Sequence, residues 1–183
     1  MFANTENPAD IIALLQDIEQ RSRKSVAGLS QQDNLQGSWS GIGFRLADMH
    51  FLVPLDHCRE VFPVPVQITA VPKSQRWVFG VANLRGDLLP IIDLQLFLQG
   101  PSAKLDKRSR ILVINHPDLY TGLLVDEVYG LKHFQQKPDP QPDSLHMNLR
   151  PYLQGSLSQP DRHWYVLDFH KLADDPKFIN AAA

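Results

Sequence analysis

From residue 39 onward the chain alternates apolar and small or polar positions. Ile42, Phe44 and Leu46 interleave with Gly43, Arg45 and Ala47, the period-two signature of a half-buried strand. Ala47-Asp48-Met49 reads as the turn of a hairpin and residues 50–54 as its return strand. Over residues 55–61 the spacing changes: Leu55, Cys58 and Val61 recur every third position, which predicts a short helix. Residues 62–72 hold three prolines, which forbid a continuous helix and predict an extended, turn-like or edge-strand path. Two apolar runs then flank Arg85-Gly86-Asp87, a polar hairpin turn. Asp93 is placed to cap a short helix over residues 94–98, and the polar residues 100–109 read as a loop. Residues 110–115, 120–125 and 128–134 read as three more strands, the first apolar enough for burial on both faces. Residues 137–143 are a proline-rich connection, and 152–157 and 164–167 are a closing strand pair. Asp168 repeats the Asp93 device, opening a helix over 169–173. The two aspartates stand 75 positions apart (168 − 93), which suggests two similar sub-barrels.

Before residue 39 the pattern is different. Asn7 is a good N-cap and Pro8 suits the first helical position, while Ile11, Ile12, Leu14, Leu15 and Ile18 recur at helical spacing. A helix from about residue 7, stopped by Gly28 and followed by a Gln/Gly/Ser-rich linker, is expected. The organisation read from the chain is therefore an N-terminal helix and linker at 1–38, one domain at 39–175 and a loose C-terminal tail at 176–183. Short strands, few helices and frequent Gly/Pro turns make the class mostly β, and barrels are the usual way for such chains to avoid exposed edges.

Composition narrows the function classes. The 183 residues carry a formal charge of −2, so no global basic field favours nucleic acid or anionic lipid. Cys58 is the single cysteine and the N-terminus lacks a secretory pattern, so a reducing, cytoplasmic location is expected. No apolar run approaches the roughly 18–20 residues of a membrane span, so direct membrane insertion is not expected. His57 and Cys58 are sequence neighbours, which in a helix point about 100° apart and cannot form a thiol–imidazole pair; Cys58 reads better as a small buried hydrophobe. The seven histidines show no i, i+4 pair and no Cys-x-x-Cys companion, so neither a metal site nor a cofactor is expected. Walker loops, dinucleotide fingerprints and nucleophile elbows are lacking, and the chain does not read as an enzyme. Arg85 is open to two readings, a solvated turn charge or a planar fork of donors for a partner's carboxylates and carbonyls.

The stretch Gly80-Val-Ala-Asn-Leu-Arg-Gly-Asp-Leu-Leu-Pro-Ile-Ile-Asp-Leu94 resembles the signature of the CheW family, the adaptors of bacterial chemosensory arrays. The likeness continues through Phe51-Leu-Val-Pro-Leu-Asp-His-Cys-Arg-Glu-Val61, Gly122-Leu-Leu-Val-Asp-Glu-Val128, Tyr152-Leu-Gln-Gly155 and Trp164-Tyr-Val-Leu-Asp168. The resemblance implies two intertwined five-stranded SH3-like barrels and no catalysis. It also implies a role in joining the cytoplasmic tip of a chemoreceptor to the regulatory domain of a histidine kinase. Carried over by position, it marks Arg85 and Asn83 in the turn, with Gly80 and Gly86 allowing close approach, as partner-binding residues. Glu60 matches the family's acid, and Cys58 stands where the family commonly has Val, preserving an apolar contact. Asp17-Ile-Glu-Gln-Arg21 and Ser38-Trp-Ser-Gly-Ile-Gly-Phe-Arg45 are similar to the family branch that serves type IV pili and twitching motility. The competing expectations are an adaptor for flagellar chemotaxis and, from another class, a small barrel stacking single-stranded nucleic acid on Trp39, Phe44, Trp77 or Trp164.

Overall fold

Ten strands run through residues 38–140 and 148–180, the parts of the chain described by the computed structural model. The predicted helix of residues 7–28 and the linker after it lie outside the described residues. Strands β1 (Trp39–Leu46), β2 (Met49–Pro54), β3 (Cys58–Pro63), β4 (Val78–Leu84) and β5 (Asp87–Asp93) lead into a helical turn, α1 (Leu94–Phe97). Strands β6 (Arg110–Ile114), β7 (Gly122–Val125), β8 (Glu127–Phe134), β9 (Leu153–Gln159) and β10 (Arg162–Leu167) lead into α2 (Phe169–Ala173) and α3 (Pro176–Ile179).

These two runs of five strands are exchanged between two sheets. One sheet has the order β8-β1-β2-β10-β9 and the other β3-β6-β7-β5-β4. Each run therefore gives its first hairpin to one sheet and its last three strands to the other. Both sheets are antiparallel except at one place, where β2 runs parallel to β10 and β7 parallel to β5. The repeat hinted at by the two aspartates is real at the level of hydrogen bonds. The Asp93 amide donates to the Trp77 carbonyl at 2.8 Å and the Asp168 amide to the Tyr152 carbonyl at 2.7 Å, with both donor and acceptor shifted by 75 positions (168 − 93 and 152 − 77). Each aspartate then caps its helix: Asp93 accepts from the Leu96 amide at 3.0 Å, and Asp168 from those of His170 and Lys171 at 3.0 and 3.2 Å. They satisfy amides that the first helical turn leaves without partners.

Alternation along the central strands divides the interior into three cores. Leu112, Ile114, Leu123, Val125, Ile92 and Leu167 face a large core shared by the sheets, together with Phe44, Phe51 and Phe169. Their neighbours Ile111, Val113, Leu124 and Ile91 turn the other way into a small core that belongs to one sheet. Leu52, Leu157, Trp164 and Val166 do the same for the other sheet. A strand buried on both faces reads as a continuous apolar run, which is why residues 110–114 carry no polar alternation.

Two expectations are corrected. Residues 55–61 form no helix: Leu55–His57 is a single 3-10 turn, and Cys58 begins β3. The every-third spacing misled because Leu55 and Val61 are exposed while Cys58 is buried. What decides the segment is pairing of Val61 with Leu112 and Phe62 with Ile111 across β3 and β6. The C-terminal residues are also not loose up to residue 180. Asp175 caps α3, accepting from the Lys177 amide at 2.7 Å and from the Tyr152 hydroxyl. Phe178 is buried against Trp77 and Phe97, with ring centroids at 6.2 and 5.1 Å. Phe178→Ala is accordingly expected to lower stability by about 3 kcal/mol, the cost of emptying a buried aromatic site. Urea unfolding checks this, since a loose tail would leave the midpoint unchanged.

Candidate functional site

The β4–β5 hairpin turns at Arg85 and Gly86, whose φ values are 56° and 97°. Two successive positive φ values define the turn that matches strand twist, and glycine at the second position adopts it without Cβ strain. Asn83 locks the turn by accepting from the Gly86 amide at 3.0 Å. The turn projects Arg85 onto β3, where its Nη1 lies 2.9 Å from Oε1 of Glu60 and its guanidinium sits 5.3 Å from the Phe62 ring centroid. Strands β3 and β4 are the two outer edges of their sheet. Arg85 thus bridges edges that meet only because the sheet curls on itself, as a small barrel requires.

The Arg85 side chain is 73% exposed and that of Glu60 39%. An ion pair this open contributes about 0–1 kcal/mol to stability. Its consequence is orientation: the fork of donors is held at a defined place on the surface, with N–H groups left to donate to oxygens brought to it. Around it lies a polar groove of about 490 Å³ whose walls include Arg59, Glu60, Leu88, His116 and Tyr120. Arg59 sits 5.9 Å from the Tyr120 ring centroid. A neighbouring, mainly apolar hollow of about 730 Å³ shares Leu88 with it and is walled by Pro65, Val66, Val71 and Asn83. Val66 and Leu88 are exposed. A fixed cation beside exposed aliphatic groups is the composition of a protein-recognition surface.

Of the six residues singled out from sequence, four meet here: Arg85, Asn83, Gly86 and Glu60. Gly80 does not. Its φ is 151°, and a Cβ there would stand 2.7 Å from the Thr69 carbonyl oxygen and 2.6 Å from Ile68. The approach it permits is by the protein's own chain, since Thr69 and Val81 exchange backbone hydrogen bonds of 2.9 and 2.8 Å. The proline-rich passage 62–72 thereby covers the β4 edge, the extended path its prolines predict.

Cys58 is buried in the shared core, and its thiol donates to the Glu60 carbonyl at 3.5 Å. It packs within that core as a small apolar side chain. Burial pushes the thiol up to about 11, partly offset by a hydrogen-bonding interaction with the Glu60 backbone. The unfolded chain would release this proton near 9, so stability falls as pH rises from about 9 towards 11, by up to about 3 kcal/mol. Thiol labelling of the native protein at pH 8 is expected to be at least tenfold slower than in urea; equal rates would place Cys58 at the surface.

A second cluster escaped sequence reading. His57 at the β2–β3 crossing meets Asp168 and His170 at the start of α2, with one donor atom from each lying within 4.8 Å of the others. The rings of His57 and His170 stack at 3.8 Å, and His116 stands edge-on to His170 at 5.8 Å. No local spacing joins residue 57 to residues 168–170; the exchange of strands between the sheets does. Burial, reinforced by the neighbouring His170, lowers the pKa of His57 and favours its neutral form. For Asp168 burial acts to raise the pKa, but the Gln154 amide, the α2 backbone amides and His57 outweigh it and hold the carboxyl below its usual range.

Comparison with known proteins agrees with this architecture. The sequence pattern of the CheW-like domain matches residues 40–177. Protein PilI of Pseudomonas aeruginosa is 41% identical over 170 residues, covering 92% of this chain and 94% of that protein. Chemotaxis protein CheW of Helicobacter pylori is 33% identical over 135 residues, covering 73% of this chain and 81% of that protein. The crystal structure of the scaffolding protein TtCheW from Thermoanaerobacter tengcongensis superposes with a TM-score of 0.65 at 23% identity, over 75% of this chain and 94% of that one, a likeness of fold. With its two five-stranded sheets, its Asn83-Leu84-Arg85-Gly86 turn and a family match spanning most of its length, the chain belongs to the CheW-like domain family.

Proposed function

We propose that this protein is a non-catalytic adaptor that couples the cytoplasmic tip of a chemoreceptor to the regulatory domain of a chemotaxis-type histidine kinase, in a system controlling type IV pilus twitching. The observation that carries the pilus assignment is the 41% identity to PilI over 92% of the chain, a share larger than residues 39–183 alone can supply. The likeness thus reaches into the N-terminal 38 residues. The groove beside Arg85 has the chemistry for docking a protein: oriented donors, aromatic rings and exposed aliphatic groups. Glu60, Arg85, Asn83 and Gly86 are its partner-facing set in this reading.

Affinity capture of the tagged full chain under mild salt, with mass spectrometry, tests the coupling: a histidine kinase and a chemoreceptor are expected together. Recovery of nucleic acid or of a metabolic enzyme in their place overturns it. The CheW of Helicobacter pylori, 33% identical, keeps a flagellar pathway in view as the second reading. Deleting the gene and scoring both behaviours separates the two. Loss of twitching is expected, and loss of swimming alone would overturn the pilus assignment.

A further inference from the structure

We propose that His57 and His170 form an acid-sensitive latch: stacked and neutral, they tie the two five-strand runs together and hold one wall of the groove beside Arg85, and on mild acidification they part and release it. The two rings lie 3.8 Å apart with their planes 19° from parallel. Asn115, directly after β6, is fastened to both sides of this stack. Its backbone amide donates to the His57 carbonyl at 2.9 Å and its side-chain amide to the Asp56 carbonyl at 2.7 Å. Its own carbonyl accepts from Nε2 of His170 at 3.0 Å. Residues 116–120 follow at once and line the groove. The place of that wall is therefore set by whether the stack is closed.

The surroundings of the stack suit uncharged rings. An imidazolium needs an acceptor at each nitrogen, yet Nδ1 of His57 is buried with no hydrogen-bond partner among the described residues. The acid facing it, Oδ1 of Asp168, lies at 3.4 Å and already accepts from the His170 and Lys171 amides. The Lys171 ammonium is turned away to the Leu153 carbonyl. Beyond His170 stand His116, edge-on at 5.8 Å, and the largely exposed Asp174, 3.8 Å from His116. Charging both stacked rings would set two cations face to face in a half-closed site, where repulsion is poorly screened. Burial first, and then His170, lower the pKa of His57; Asp168 and Asp56 act the other way and are outweighed. The unfolded chain takes up this proton near 6.5, so the stability held in the neutral ring is complete above that pH. It is lost as pH falls from 6.5 through the lower value of the folded state.

The test is made on the full chain without any partner, so it stands or falls separately from the adaptor reading. Urea unfolding at pH 7.5 and pH 5.5 compares the parent with His57→Gln. The folding constant of the parent is expected to fall at least about threefold more than that of the variant. His50, whose pKa burial and the Arg162 and Arg45 cations also lower, is present in both chains and cancels in the comparison. His170→Gln, at a partly exposed position, carries the same comparison should His57→Gln fail to fold, with a fall smaller than the parent's expected. Equal falls in the parent and the folded variant overturn the latch. Release of the wall is read by NMR in His116→Gln, which leaves residues 116–120 no imidazole of their own. The Leu119 and Tyr120 amide signals are expected to shift with the midpoint of the His57 ring, below that of histidines in the urea-unfolded chain. Amides that stay still through that midpoint overturn the coupling to the groove, and a His57 midpoint at or above the unfolded value overturns the latch itself.

Discussion

Phe44→Ala is expected to destabilise the protein by about 3–5 kcal/mol, a large fraction of the 5–15 kcal/mol available to a domain of this kind. Phe44 is fully buried at the centre of the core shared by the sheets. It stacks on Phe51 with ring centroids 5.5 Å apart and an interplanar angle of 21°, and tilts against Phe169 at 6.2 Å. Phe51 comes from the neighbouring strand, but Phe169 comes from α2, more than a hundred residues later. Alanine there removes contacts on both sides, and the surrounding strands, pinned by their hydrogen bonds, cannot collapse into the space. A fall in melting temperature of roughly 6–20 °C follows from that loss. Denaturant unfolding followed by tryptophan fluorescence measures it, with exposed Leu55→Ala as the control. A loss below about 1 kcal/mol would mean that the two sheets are stabilised independently of their shared core.

Arg85→Glu is expected to do the opposite: leave stability within about 0.5 kcal/mol and weaken partner binding by tenfold or more. The pair with Glu60 is too exposed to matter greatly to folding. For binding, the substitution removes every donor of the fork and sets a second carboxylate beside Glu60, so attraction becomes repulsion. Arg85→Lys separates charge from shape, because it keeps the cation and discards the planar fork; an intermediate loss is expected. Titration of purified variants against the kinase regulatory domain and the receptor tip gives both numbers. Unchanged affinity for both partners in folded Arg85→Glu would remove Arg85 from the interface.

Features governed by neighbours in sequence were legible before any fold was known. The β1–β2 and β4–β5 hairpins follow from period-two patterning around short polar turns. The two capping aspartates follow from an apolar run ending in a carboxylate. Even the repeat was visible through them, although the exchange of strands between sheets was not, since pairing partners 31 to 114 positions apart leave no local mark. The helix expected over 55–61 failed for a related reason. A three-residue apolar spacing is ambiguous over seven residues, and the β6 edge settled it by supplying ladder hydrogen bonds to β3.

The candidate site divides the same way. The turn chemistry of Asn83, Arg85 and Gly86 lies within four residues and could be read directly, but the partners that orient Arg85, Glu60 and Phe62, are placed by the curl of a whole sheet. Gly80 and Cys58 were noticed for the right property, small size: Gly80 makes room for the protein's own backbone at Thr69, and Cys58 packs in the shared core as the small buried hydrophobe that one of its readings expects. The His57–Asp168–His170 cluster had no sequence signal at all. By itself, then, the sequence determined the strands, turns and caps of this protein, because each is an agreement among residues a few positions apart. Tertiary structure alone decided which strands share a sheet, which side chains end up buried and which distant polar groups face one another, because those depend on how two runs of five strands close around one common core.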